Sequence, residues 1–262
     1  MKKSLVTVCL VLGLLIAAAP GMAATIDQVQ VGYLGSAYGP YQTGAGGEFS
    51  LKPLDGFAWV LNAYSSDAKV NNGLSFQTFC LEADEYIYPY NARYDVTLSN
   101  VAIYGGLDPS AGGDPISKGA AWLYANFATS GNFDGLVPGG YDYTNPGRSG
   151  TAISSSQQLQ NAIWWLEGDI ATRDLSNVFE TAVVTKFGSA GAAMANAESG
   201  EFGVYALNMW AAGHLGDYNY RRQDQLIYVG VSEPVGVAEP FTLLFLGGCL
   251  LGAGIVGRRC RV

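Results

Sequence analysis

The sequence predicts an α+β body built as a β-sandwich or barrel with a helical insertion. Strand-like alternation occurs before and after the middle of the chain, whereas the middle shows helical spacing. Apolar segments of a different kind occupy the two ends. We therefore divide the 262 residues into a signal peptide at 1–23, one domain at 24–236 and a sorting tail at 237–262.

The composition excludes several classes of protein. Charged residues make up only 14% and hydrophobic residues 49%, which argues against a coiled coil or a charged disordered chain. A net charge of −8 argues against a nucleic-acid-binding surface, because such a surface needs clustered Lys and Arg. We expect no nucleic-acid partner.

The first 23 residues have the three parts of a secretory signal peptide. Lys2 and Lys3 precede an apolar stretch, and Gly21 and Ala23 supply small residues at the −3 and −1 positions of a cleavage site. The apolar stretch is short for a membrane span. This pattern predicts cleavage and export.

The C-terminal tail has a short motif, an apolar segment and a basic end. Ala238, Glu239 and Pro240 precede residues 241–257, which carry no charge, and Arg258 and Arg259 follow. The apolar segment is at the lower length limit for a transmembrane helix. The basic end would stay cytoplasmic and place the body outside. A plain membrane anchor is the simpler alternative.

This tail resembles the PEP-CTERM sorting signal of Gram-negative bacteria, although Ala238 stands where that motif has its first proline. The resemblance implies transient anchoring in the inner membrane and processing by an exosortase-type enzyme. It also implies delivery to the cell surface or to the extracellular polysaccharide matrix of a biofilm.

Within the body, the pattern of apolar residues changes from period two to helical spacing and back. Strands are predicted at 26–31, 57–61, 74–82, 94–98, 204–207 and 225–231. One helix is predicted after an N-cap at Ser117, and a second after a capping box formed by Ser154 and Gln157. A loop rich in Gly, Asn and Pro separates the two helices at 130–150.

The body contains a single cysteine. Cys9 lies in the predicted signal peptide, and Cys249 and Cys260 lie in the tail, so only Cys80 remains. Removal of both ends takes away five of the 14 basic residues and one of the 22 acidic ones. The net charge of the body is then near −12. Cys80 is therefore a buried hydrophobe, a nucleophile, or a sulfur consumed in a covalent bond.

Two short segments resemble the paired motifs of the thioester domains of bacterial surface adhesins. The first is Phe79, Cys80, Leu81 and Glu82, and the second includes Leu159, Gln160, Ala162, Ile163 and Trp164. The resemblance implies an internal thioester between Cys80 and Gln160 in a β-sandwich or barrel with a helical insertion. The first segment and Gln223-Asp224-Gln225-Leu226 also resemble one group of PEP-CTERM proteins.

The thioester chemistry needs these residue types. A thiolate attacks the carboxamide carbon of Gln160 and ammonia leaves, with unpaired N–H groups near the helix start stabilising the oxyanion. Phe79, Trp164 and Trp165 would exclude water. A lysine amine of a partner would then form a permanent amide. Such a protein acts once, so we expect neither an enzyme nor a cofactor.

Other interpretations remain open. A structural or carbohydrate-binding matrix protein would simply bury Cys80 and use its aromatic residues to contact sugars or to pack its core. A cysteine hydrolase would pair Cys80 with His214, which lies in a predicted surface turn. Glu82, Asp84 and Glu85 form an acidic cluster that fits a solvated turn better than a calcium loop, so we expect no metal site.

Overall fold

The structure, a computed structural model, describes residues 27–32, 48–103, 113–143 and 155–231. It contains α-helices, short 3-10 helices and strands. The strands are β1 (Asp27–Gly32), β2 (Phe49–Leu54), β3 (Lys69–Val70), β4 (Ser75–Thr78), β5 (Arg93–Ser99), β6 (Val101–Ala102), β7 (Asp114–Pro115), β8 (Val204–Ala211) and β9 (Arg221–Tyr228). The α-helices are α1 (Lys118–Thr129), α2 (Ser155–Glu167), α3 (Val178–Phe187) and α4 (Ala190–Ala193). The 3-10 helices are Asp55–Ala63, Phe133–Gly135, Glu201–Gly203 and Tyr218–Tyr220.

The fold is mixed α+β with one large antiparallel sheet. Seven strands follow the order β3-β4-β2-β1-β5-β8-β9, and β6 and β7 form a separate pair. The chain that follows β4 also hydrogen-bonds to β9, because Leu81 N donates to Asp224 O at 3.0 Å. The hydroxyl of Thr78 donates to Leu226 O beside it. Strand β9 therefore has partners on both sides.

The four α-helices of the described residues lie between β7 and β8 in the chain, and α1 packs on the sheet. Helix α1 contacts both β8 and β9, and α2 and α3 contact α1. Helix α1 begins at the predicted cap, since the Ser117 hydroxyl accepts a hydrogen bond from Ala120 N at 3.1 Å. Its predicted apolar face, including Leu123 and Phe127, is fully buried.

Residues 57–61 do not form the predicted strand, because they lie in the 3-10 helix Asp55–Ala63. Phe57 and Val60 are fully buried while Trp59 is half exposed, so the buried residues recur every third position, as 3-10 geometry requires. A short apolar run cannot distinguish a helix from a strand by periodicity alone. Strand β9 also starts earlier than predicted, at Arg221 rather than Gln225.

The predicted signal peptide and sorting tail lie outside the described residues. The same holds for the capping residue Ser154, although α2 begins directly after it. Among the residues that the structure does describe, no helix is long and apolar enough to cross a membrane.

Candidate functional site around Cys80

Cys80 lies where the segment after β4 pairs with β9, directly opposite Gln225. The flanking hydrogen bonds join Leu81 N to Asp224 O and Leu226 N to Phe79 O, each at 3.0 Å. Cys80 and Gln225 therefore form a non-hydrogen-bonded antiparallel pair, the kind in which opposing side chains lie closest together. The N–H and C=O of Cys80 point away from β9.

The side chain of Gln160 takes the place that a neighbouring strand would have on that other side. Cys80 N donates to Gln160 Oε1 at 2.9 Å, and Gln160 Nε2 donates to Cys80 O at 2.9 Å. Both residues are fully buried, so these two bonds satisfy main-chain groups that water does not reach. Helix α2 thus holds the Cys80 backbone in place through one carboxamide.

The Cys80 sulfur accepts a contact from the side chain of Gln225. Gln225 Nε2 lies 3.4 Å from Cys80 Sγ, and Gln225 is also fully buried. Among the described residues, Gln225 Oε1 has no hydrogen-bond partner. A buried carbonyl oxygen without a partner is costly, which sets this side chain apart from the satisfied carboxamide of Gln160.

The environment of Cys80 keeps the sulfur protonated. Burial raises the pKa of the Cys80 thiol to about 12. The hydrogen bond from Gln225 lowers this pKa, but by less than burial raises it. A reactive thiolate requires a lowered pKa and a positive neighbour. The site therefore presents a neutral thiol to a neutral carboxamide.

The residues of the two motifs around Cys80 and Gln160 belong to the hydrophobic interior. Phe79 packs edge-on against two rings, with centroid distances of 5.0 Å to Phe127 and 6.4 Å to Tyr141. Trp164 and Trp165 are nearly buried, and Trp165 packs in the main core. The other motif neighbours are likewise buried, namely Leu81, Glu82, Leu159, Ala162 and Ile163.

The predicted acidic turn is not solvated as a whole. Asp84 is exposed, but Glu82 and Glu85 are buried. Glu85 forms an ion pair with Arg221 at 3.2 Å and accepts from Asp224 N. Through these contacts the turn packs against β9. The described residues contain no group of three or more potential metal ligands.

Asp224 is a second buried carboxylate next to the site. It accepts hydrogen bonds from Asn208 Nδ2 at 3.0 Å and from Met209 N at 3.3 Å, as well as from Ile103 N. Burial raises the pKa of Asp224 to about 7 despite these donors. Asp224 fixes β9 to its surroundings one residue before Gln225.

His214 lies in the turn between β8 and β9. Its ring stacks on that of Tyr220, with the two ring centroids 3.6 Å apart. Gln225, the partner of Cys80, pairs across the sheet with Leu207, seven residues before His214. At about 3.3 Å per strand residue, the remaining length of β8 alone separates them by about 13 Å. The arrangement does not support a Cys80–His214 dyad.

Comparisons with protein-family models, with curated proteins and with solved structures each find no match for this chain. Sequence reasoning did not assign Gln225 to the site, although it noted the segment Gln223–Leu226. The signal for it would have been a polar residue inside a strand, opposite the cysteine.

Proposed function

We propose that this chain is an exported surface or matrix protein that forms an internal thioester at Cys80 and uses it once to bind a partner covalently. The observation that carries the proposal is a fully buried cysteine whose main chain is held by one glutamine and whose sulfur contacts another. A purely structural cysteine would also need partners for its buried main chain, but it would not need a buried carboxamide with an unpartnered oxygen beside its sulfur.

The geometry favours Gln225 over Gln160 as the acyl group. Attack on Gln160 would disrupt the two hydrogen bonds that its carboxamide makes with the Cys80 main chain. Gln225 lies on the same face as Cys80 and already contacts Sγ. Gln160 then acts as a positioning residue, which holds the nucleophile in a near-attack geometry.

The reaction is balanced without a cofactor. Cys80 Sγ attacks the Gln225 Cδ, the thiol proton passes to Nε2, the C–N bond breaks and ammonia leaves. A primary amine of the partner, such as a lysine, later attacks the same carbon. That step forms an amide, breaks the C–S bond and transfers a proton from the amine to the sulfur. The amide is permanent, so the protein does not turn over.

The proposal includes a β-sandwich or barrel fold for the body and export of the chain. A sheet in which the continuation of β4 pairs with β9 at Cys80 is compatible with a sandwich or barrel, and the helical insertion carries Gln160. Export, exosortase-type processing at Ala238-Glu239-Pro240 and delivery to the surface or matrix follow from the resemblance of the tail.

Peptide-level mass spectrometry of the purified chain tests the proposal. We expect the Cys80 and Gln225 peptides to be linked and lighter by one ammonia, and methylamine to release the thiol and label Gln225. Cys80→Ser should abolish both signals, and so should Gln225→Met, whereas the buried control Gln77→Met should retain both.

The outcomes separate two levels of the proposal. A label on Gln160 would keep the thioester but overturn the assignment to Gln225. An unshifted mass together with a free Cys80 thiol in the denatured wild-type chain would overturn the thioester itself. That result would favour the matrix protein with a simply buried Cys80.

A further inference from the structure

An open groove of about 370 Å³ lies beside the Cys80 site. It is bounded by the segment that follows Cys80 and by the first residues of β9. One of its lining residues, Gln223, is two positions from Gln225 and donates to Glu82 O at 2.7 Å. The groove and the proposed thioester thus share the same pair of chain segments.

Two tyrosines on the rim of this groove are exposed to an unusual degree. The exposed fractions of Tyr86 and Tyr88 are 76% and 74%, whereas Ile87 between them is buried. The alternation places both rings on one side of an extended segment. Large aromatic side chains grouped on a surface indicate an interaction site rather than a packing role.

Hydrogen bonds hold the main chain of the rim in place before any ligand binds. Tyr86 O accepts a hydrogen bond from Gln223 N at 3.3 Å, and Tyr88 O accepts one from Arg222 Nε at 3.1 Å. The guanidinium group of Arg221 forms an ion pair with Glu85. Its Cζ atom also lies 4.1 Å from the centroid of the Tyr218 ring. A preorganised surface of this kind loses little conformational entropy on binding.

The chemistry of the lining suits a neutral ligand rich in hydroxyl groups. Its two carboxylates, Asp84 and Glu85, are matched by two guanidinium groups, Arg221 and Arg222, so the charged residues balance. The lining contains no aliphatic side chain that would receive an apolar anchor of a peptide. It offers flat rings together with hydrogen-bond donors and acceptors.

We infer that this groove binds a neutral hexose polymer through Tyr86 and Tyr88. The inference goes beyond the proposed thioester and does not require it. Placed next to Cys80, the groove would hold a polysaccharide surface beside the point at which the covalent bond forms.

Affinity electrophoresis of the full-length chain tests this inference with dextran, laminarin and a mannan as neutral probes. We expect at least one of them to retard the chain, and the double variant Tyr86→Ala/Tyr88→Ala to lose about tenfold in affinity. Leu175→Ala removes an equally exposed side chain from outside the groove and should leave the retardation unchanged.

Two further measurements distinguish failure of the glycan-binding inference from failure of the proposed thioester. Cys80→Ser should bind the glycan like the wild type, and the double tyrosine variant should still react with methylamine. Retardation by none of the three neutral polymers would overturn the inference. So would tyrosine-dependent binding to alginate or to polylysine alone, because either would mean a charged ligand.

Discussion

At the scale of single residues, two glutamines that look alike in sequence have different surroundings. Gln160 uses its carboxamide to satisfy the N–H and C=O of Cys80, whereas Gln225 contacts the sulfur. The difference arises because an antiparallel strand directs its main chain and its side chains in perpendicular directions. Helix α2 therefore contacts the main chain of Cys80 through Gln160, and strand β9 contacts the Cys80 side chain through Gln225.

Gln160→Met is expected to destabilise the protein and to slow thioester formation. The change leaves the buried N–H and C=O of Cys80 without partners, which costs about 2–4 kcal/mol of unfolding free energy. Urea denaturation measures that cost, and methylamine labelling measures the thioester. Ala192→Met introduces the same side chain at an exposed position of α4 and should cost less than about 0.5 kcal/mol. Equal losses in the two variants would contradict this role of Gln160.

At the scale of elements, helix packing places limits that helix propensity does not reveal. Gly119 lies in the first turn of α1 and is buried against α2, α3 and α4. A Cβ added there would lie 2.7 Å from a Leu166 methyl, 2.9 Å from a Val183 methyl and 3.0 Å from Ala193 O. The glycine therefore permits four helices to meet closely.

Gly119→Ala is expected to lower the unfolding free energy by about 1–3 kcal/mol, because overpacking outweighs the better helix propensity of alanine. Gly191→Ala is the matched control, since a Cβ on that glycine of α4 would meet nothing within 4 Å. It should be neutral or slightly stabilising. Thermal or urea unfolding of the two variants checks the contrast, and stabilisation by both would contradict the packing argument.

The elements that the sequence predicted correctly have strong local signals. Ser117 caps α1, and the predicted strand at 94–98 lies in β5 with Tyr94 and Val96 buried, although Leu98 is exposed. Helix α3 was missed although Asn177 accepts from Phe179 N and Glu180 N, because its apolar residues lack a clear helical period. The Cys80 site needed knowledge of strand pairing, which depends on contacts 145 residues apart and leaves no local pattern.

At the scale of the whole molecule, buried carboxyl groups determine how stability depends on pH. Burial raises the pKa of Glu48 to about 8 and that of Glu167 to about 8. The folded state therefore binds more protons than the unfolded state between their ordinary pKa near 4.5 and pH 8. Their stabilising effect is complete at low pH and is lost as the pH rises through that window.

Glu48→Gln is expected to flatten this dependence. The neutral amide imitates the protonated acid, so the variant should resemble the wild type near pH 4.5 and exceed its unfolding free energy at pH 9 by about 2–4 kcal/mol. Urea denaturation at the two pH values measures the difference. Glu198→Gln removes an exposed carboxylate and should change stability by less than about 0.5 kcal/mol at both. A Glu48→Gln variant that is less stable at pH 9 would contradict the argument.

The position of Gln225 in the last strand has a mechanical consequence. If a partner is joined to Gln225 while the chain is held at a point after β9, the pulling force passes only through the end of β9 and the residues that follow it. The helices and the other strands lie outside that load path. Tension on such an attachment would peel one strand from an otherwise unloaded sheet, and the bond to the partner would not depend on the fold remaining intact.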